Sequence, residues 1–382
     1  MPEVQIPFVR PDITEEDVEA VSAVLRSQRL AMGEQALAFE KMLAEQLGVK
    51  HALVLSNGTA ALQLALLAAG VRAGDEVITT AFTYVATTNA ILHAGATPVF
   101  VDIDPATLNL DVHQLPGALT PRTKAILPVH VFGRPCDMDA IAHFSREHGL
   151  PVIEDACEAL GSRYHGTAVG GIGLAGTLGF AQNKQITTGE GGALLTNSDE
   201  VADFVHSARR QGRSSSCDSA YVHAGFNYKM SDLQAALGLS QLRRLADRIR
   251  ARSEAAALYR DSLKGVEGIT LPAPAAPGTE ISWFVWVILV EKGLAGTARD
   301  GILQRLNERG VGAQSYFPAL HLQPSLQERF HHQPGDLPIT EDVSSRSIAL
   351  PLYPGITAAE IDTVKRFLAE ELDHARTLTA AR

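Results

Sequence analysis

Three short stretches of this 382-residue chain combine the residue types that reactive sites need. Ser56-Asn57-Gly58-Thr59-Ala60-Ala61-Leu62 reads as a strand end, a glycine turn and the start of an Ala/Leu-rich helix. Free backbone N–H groups and the helix dipole at such a turn attract anions, so a phosphate fits there. Taken alone, the segment is equally well read as a strand-to-helix connection capped by Thr59. Asp155, in Val152-Ile-Glu-Asp-Ala156, ends an apolar run, where a carboxylate is partly desolvated and costly without a cationic partner. A protonated ring nitrogen would be such a partner, and capping the next helix is the plainer alternative. Lys184 lies in the polar, glycine-dense stretch Gly179–Gly192, unlike a solvated helix face, and is placed for close ligand approach. To attack a carbonyl its amine must lose a proton, and an ordinary lysine pKa of roughly 10.4 falls on desolvation or beside other cations. Without its surroundings, a surface lysine is the simpler reading.

Bringing these stretches together requires a scaffold. From Leu53 to about Thr196, Val/Ile/Leu-rich runs alternate with helix-like stretches, the pattern of βα units and a mostly parallel sheet. Seven strands are expected, at Ala52–Ser56, Glu76–Thr80, Thr97–Val101, Ala125–Val129, Pro151–Glu154, Gly176–Phe180 and Ala193–Thr196. Ligands of open α/β sheets sit beyond the carboxyl ends of strands, so Ser56-Asn57-Gly58, Asp155 and the Lys184 region are expected to converge. Ser231 to Tyr259 reads as one or two long helices with Ser231 as N-cap. The proline-rich Pro272–Gly278 is a stiff connector, and Ile281–Val290 behind it a strong strand opening a smaller C-terminal α/β domain. The expected division is 1–245 and 246–382, without internal repeats.

Bulk properties narrow the function. The length suits two domains, and the composition is that of a soluble α/β protein. The net charge of -10, from 43 acidic and 33 basic side chains, offers no field for nucleic acid or an anionic membrane. Cys136, Cys157 and Cys217 form no CxxC pair, suggesting neither a disulfide framework nor a zinc site. No histidine spacing suggests a metal. No leader or membrane span is evident, and the expected compartment is the cytoplasm.

The resemblance becomes specific in Ser56-Asn-Gly-Thr-Ala-Ala61, Glu154-Asp-Ala156, Asn183-Lys-Gln-Ile-Thr-Thr-Gly-Glu-Gly-Gly192 and Gly225-Phe-Asn-Tyr-Lys-Met-Ser-Asp-Leu-Gln-Ala-Ala236. In content and order these resemble the DegT/DnrJ/EryC1/StrS aminotransferases. The similarity runs from Ile6-Pro7 through Tyr316-Phe-Pro318 and His321-Leu-Gln-Pro324 to Leu350-Pro-Leu-Tyr-Pro-Gly355. The resemblance implies a type I fold dependent on pyridoxal 5'-phosphate (PLP), and a homodimer with active sites at the subunit interface. It implies a ping-pong reaction: glutamate or glutamine gives its amino group to the cofactor, forming pyridoxamine 5'-phosphate, which passes it to a keto group of a nucleotide-linked deoxyhexose. Lys184 would carry the cofactor as a Schiff base and later move protons, and Asp155 would pair with the pyridine nitrogen, keeping the ring an electron sink. Gly58 and Thr59 would bind its phosphate, Tyr84 would stack on the ring, and Asn227 would reach the cofactor phosphate of the partner subunit. Tyr84 is equally readable as a core aromatic, and His321 as a substrate contact or a structural hydrogen-bonder.

Three positions depart from the usual pattern of the family. Gly179 stands where many relatives have a phosphate-binding serine. Glu158 replaces Gln or His near the cofactor's phenolic oxygen, where a carboxylate must be protonated, turned away or balanced by a cation. Lys229 replaces an arginine, keeping the charge but losing the bidentate fork, and stays a candidate substrate contact. Gly171-Ile-Gly-Leu-Ala-Gly176 matches GxGxxG but opens no early βαβ unit, so a dinucleotide site is rejected in favour of a turn. Arg209, Arg210 and Arg213 read as a solvated cluster, or as a grip on a diphosphate or donor carboxylate. Rival functions are a keto-cyclitol aminotransferase and a noncatalytic PLP-fold sensor. A dehydratase is disfavoured, because such relatives typically carry histidine at the position of Lys184.

Overall fold

The computed structural model describes residues 5–214 and 219–380; Cys217 lies outside them. Seven strands build the large sheet: β1 His51–Leu55, β2 Glu76–Thr80, β3 Thr97–Val101, β4 Thr123–Ile126, β5 Ile153–Asp155, β6 Ala175–Gly179 and β7 Gly192–Thr196. They run β1-β7-β6-β5 and β4-β2-β3, the two blocks joined by parallel bridges Ile126–Val152 and Val129–Asp155. β7 alone runs antiparallel to its neighbours, so the sheet is mostly parallel as expected. The reason is local. Instead of a crossover helix, a loop joins β6 directly to β7, and two strands joined at the same end must run in opposite directions. That loop carries Lys184 and lies at the carboxyl end of the parallel strands.

Alternation along the strands divides the packing between the two faces. Following helices α1 (Glu15–Ser27) and α2 (Glu34–Leu47), Leu53 and Leu55 face one core with Leu62 and Leu64 of α3 (Gly58–Ala68), while Val54 faces another with Phe39 and Leu43 of α2. Asn57 is the N-cap of α3: its Oδ1 accepts the Ala60 N–H at 2.8 Å. Thr59 therefore lies inside the helix, because the β-region backbone that an N-cap needs falls at Asn57. The Ser231–Tyr259 stretch divides into helices Asp232–Arg243 and Leu245–Leu263. Ser231 caps the first in a capping box with Gln234.

A second core is built on the antiparallel sheet β8 (Ile269–Thr270), β9 (Trp286–Val290) and β10 (Ser347–Leu350). Trp286, Ile288 and Val290 pack there with Tyr259, Leu306 and Leu368, whereas Val285 and Val287 face the large core. Ile6 belongs to this second core and bridges in parallel to Val311. The strand expected over Ile281–Val290 begins only at Trp286. Trp283 adopts a left-handed φ of 46°, and Ser282 turns its hydroxyl into buried bonds with Ser162 and Gln185, so neither continues a ladder. Among the described residues, no helix is long and apolar enough to cross a membrane.

Candidate active site

The carboxyl ends of β1, β5 and β6 open into a cavity of about 870 Å³, and five of the expected site residues line it along with Lys184: Gly58, Thr59, Tyr84, Asp155 and Glu158. Gly58 and Thr59 present the first two N–H groups of α3, which have no partner within the helix. A Cβ on Gly58 would lie 2.9 Å from Cys157 Sγ, so close packing on the cavity floor demands glycine. Gly179 differs: its Cβ would meet Cys157 only at ordinary contact distances of 3.4 Å and beyond.

Asp155 is buried and its two oxygens are separately engaged. Oδ2 accepts the Thr87 hydroxyl at 2.7 Å, and Oδ1 accepts the Cys157 N–H at 3.1 Å. Thr83 lies 2.9 Å from Thr87, extending the network to the start of helix α4 (Val85–His93), where Tyr84 is the N-cap. Tyr84 is 64 % exposed at the cavity wall, which excludes the core-aromatic reading.

Lys184 Nζ lies 3.6 Å from Glu158 Oε1 and 4.0 Å from the centroid of the Phe284 ring. Burial pushes the Glu158 carboxyl up, while the charge of Lys184 and the Phe132 N–H, 3.0 Å from Oε2, pull it back. Phe132 holds that N–H from a left-handed backbone, φ 58° and ψ 21°, a conformation costing about 1–2 kcal/mol in a non-glycine residue. Its ring stacks on Phe317 at 5.4 Å and meets Phe82 edge-on at 5.9 Å, so aromatic packing keeps the strained residue in place. Behind Lys184, the buried Arg252 donates to the carbonyls of Lys184, Phe284 and Leu352. Burial and the neighbouring Arg248 pull Arg252 down to about 10.

The remaining expected residues lie elsewhere in the subunit. His321 is fully buried with Nε2 3.0 Å from Glu341 and does not line the cavity. Asn227 and Lys229 are also outside it, joined by a bond from Lys229 Nζ to Asn227 Oδ1. Lys229 instead lines a second hollow of about 470 Å³ with Arg209, Arg210 and Arg213. Arg209 is not solvated: it is fully buried, pairs with Glu40 and donates to the Val54 carbonyl, since a guanidinium so deep needs an anion and carbonyls. The turn at the rejected GxGxxG does cradle an anion, an internal one. Gly170, Ile172 and Gly173 N–H groups donate to Glu154, whose Oε2 is 3.0 Å from Nε2 of buried His130.

Thr87, Phe132, Phe284 and Tyr316 are site residues that sequence reasoning did not assign. Tyr316, within the motif Tyr316-Phe-Pro318, lines the cavity and bonds Asn183, and burial first, then Glu158, push its hydroxyl well up. Thr87 carries a weak signal in retrospect, one helical turn after Thr83 at the end of a parallel strand. The left-handed Phe132 carries none.

The family model for the "DegT/DnrJ/EryC1/StrS aminotransferase family" matches residues 11–369. The chain belongs to the DegT/DnrJ/EryC1/StrS aminotransferase family. It is 42 % identical to GDP-perosamine synthase of Caulobacter vibrioides over 335 residues, 87 % of this chain and 89 % of that one. It is 39 % identical to the spore coat polysaccharide biosynthesis protein SpsC of Bacillus subtilis, over 94 % and 95 % of the two chains. Its fold matches Helicobacter pylori PseC, an aminotransferase involved in the biosynthesis of pseudoaminic acid, with a TM-score of 0.91 at 32 % identity, over 97 % and 99 % of the chains. As a member of this family the protein is an aminotransferase with the fold of PLP-dependent enzymes. The cavity's donor set fits PLP: helix N–H groups for a phosphate, a buried carboxylate for a ring cation, and an amine beside a carboxyl.

Proposed function

We propose that the protein transfers an amino group from glutamate or glutamine to a keto group of a nucleotide-linked deoxyhexose. The observation that carries this reading is the convergence of Lys184, Asp155 and the α3 N-terminus on one cavity, within a family whose members include a GDP-perosamine synthase and PseC. When bound, PLP supplies a reactive carbonyl and an electron sink for the carbanion formed beside the transferred nitrogen. Lys184 would hold it covalently, Gly58 and Thr59 N–H groups its phosphate, Tyr84 one face of its ring, and Glu158 would lie near Lys184. Asp155 Oδ2, oriented by the Thr87 hydroxyl, would hold the proton on the ring nitrogen. Lys184 Nζ would be the base that takes the proton from the substrate carbon and returns it to the carbon on the other side of the transferred nitrogen. Keeping both partial reactions in one pocket requires donor carboxylate and sugar to enter in turn, which the cavity volume allows.

We also infer a homodimer with shared sites. Asn227 and Lys229 lie outside the cavity of their own subunit, beside a hollow containing Arg209, Arg210 and Arg213, a placement suited to serving a partner's site. Residues 1–245 form the cofactor domain and 246–382 the smaller domain in this reading, supported by the separate core around β9 and β10. Cys136 and Cys157 are unpaired, in keeping with a reducing cytoplasm.

The test is the absorbance spectrum of the PLP-loaded protein before and after L-glutamate, followed by keto-deoxyhexoses linked to different nucleotides. Loss of the yellow band to the amine form of the cofactor, and its return on adding one of these sugars, is the expected result. A band that neither glutamate nor glutamine alters would overturn the donor assignment. Return of colour with ketocyclitols alone would overturn the nucleotide sugar.

A further inference from the structure

The buried carboxyl of Glu158 lines the cavity but has no step in the proposed reaction. Asp155 has its oxygens committed to Thr87 and Cys157, whereas Glu158 keeps one oxygen turned to Lys184. We propose that Glu158 is the counter-charge of Lys184, a positioning residue that stabilises the ammonium its amine becomes on taking up a proton. The inference rests on the reading of Lys184 as the cofactor lysine.

Glu158 is fastened on two sides. Its Oε2 accepts the Phe132 N–H at 3.0 Å, from a left-handed residue held by the Phe82 and Phe317 rings. Its backbone carbonyl accepts Gln185 Nε2 at 2.6 Å, tying it to the residue that follows Lys184. With both anchors made, Oε1 is left 3.6 Å from Lys184 Nζ, an ion-pair distance. The other face of the ammonium meets the Phe284 ring at 4.0 Å, and a ring face attracts a cation. A non-glycine residue persists in left-handed backbone only where its surroundings demand it, and here the conformation directs an N–H at this carboxylate.

The titratable groups facing the pair are Asp155 from β5 and Tyr316 from the wall opposite, with Cys157 beside Asp155 and Lys184. Tyr316 and Cys157 are both pushed toward their neutral forms by burial. Lys184 is thus the cation that balances Glu158. During transfer, Lys184 passes through the ammonium form when it takes the substrate proton, and a fixed anion beside it favours that form, as a buried aspartate favours an imidazolium in hydrolase triads.

The test uses the full-length chain freed of cofactor, with its fold checked by circular dichroism. A short pulse of PLP at pH values from 6 to 11, trapped with borohydride, is followed by peptide mass spectrometry to measure phosphopyridoxyl-Lys184. Only the unprotonated amine reacts, so the pH profile reports its titration. In Glu158→Gln the Phe132 N–H still finds an acceptor but the charge is gone. The expected profile moves to lower pH by about a unit or more, so labelling on its rising limb is roughly tenfold faster or beyond. Glu158→Asp, which restores the charge, is expected to move the profile back toward wild type. Superimposable wild-type and Gln profiles would overturn the pairing. Should the Gln variant not fold, Glu158→Met, which also removes the charge, takes its place, and a profile superimposable on wild type would again overturn the pairing. Label on a lysine other than Lys184 overturns the cofactor assignment itself, a failure distinct from an unshifted Lys184 profile.

Discussion

Thr87 shows how a site depends on a residue that acts through another. Its hydroxyl is the donor to Asp155 Oδ2, inside a buried network with Thr83. Thr87→Val keeps the shape and removes that bond, which at about 1–2 kcal/mol corresponds to roughly a tenfold slower reduction of the cofactor band by glutamate. Stopped-flow absorbance checks this, and an unchanged rate would show that Asp155 needs no orienting partner. Gly179 supports a prediction of the opposite sign. Since its Cβ would meet only ordinary contacts, Gly179→Ser is expected to fold as wild type and to lose PLP more slowly in dialysis, through an added hydroxyl near the helix N-terminus. Residue-level chemistry was legible wherever it coincided with turns. Gly58, Thr59, Asp155 and Lys184 follow strands and were found by type and position, and the structure brings them to one cavity. For Glu158 the sequence leaves protonation, rotation away and balance by a cation open, and the structure stands Lys184 beside it. The Phe132 N–H and the Phe284 ring were not foreseeable, because backbone strain and a ring contact between residues far apart in sequence leave no local pattern.

Among elements, the Lys184 loop is held from behind by helix Leu245–Leu263. Among the described residues Arg252 on that helix has no carboxylate partner, and it donates to carbonyls of Trp283, Phe284, Leu352 and Lys184. Arg252→Ala leaves these acceptors buried, and an expected loss of about 3 kcal/mol would appear as a lower urea midpoint, with weaker PLP retention. Truncating the Asn57 cap is milder: Asn57→Ala should cost about 1 kcal/mol by the same measurement. The seven strands were located from apolar runs to within a few residues, because buried parallel strands are nearly continuous in hydrophobicity. Their order was not legible. Sequence specifies which segments are strands, but adjacency of β5 to both β4 and β6 depends on crossovers chosen in three dimensions. The short β9 was misjudged for the reason seen at Trp283: an apolar run can hide a residue with left-handed backbone.

For the whole molecule, two carboxylates tie distant helices together and are among those that stabilise the fold against acid. Burial alone would raise Asp17 of helix Glu15–Ser27, but bonds from Ser240, Thr14 and Gln241 and the charge of Arg244 hold it below 3.8. Glu371 of the last helix is likewise raised by burial and drawn below 4.5 by Arg305 and Arg309. Both are depressed in the folded chain, so their stabilisation is complete above their unfolded values and is lost as pH falls from about 4.5 through the lower folded values. The urea midpoint is therefore expected to hold from pH 7 to about 5 and to drop between 4.5 and 3. A midpoint unchanged at pH 3 would show that these pairs do not support the fold.

Ile6 adds a matter of timing. It is buried in the C-terminal core, its N–H bonded to Gly310 and its carbonyl to Gly312. During synthesis the chain delivers Val311 about three hundred residues after Ile6, at about 5–20 residues per second. Through that interval the apolar segment has no seat, and the large sheet must assemble without it. A segment made before the large sheet is thus closed in only after it.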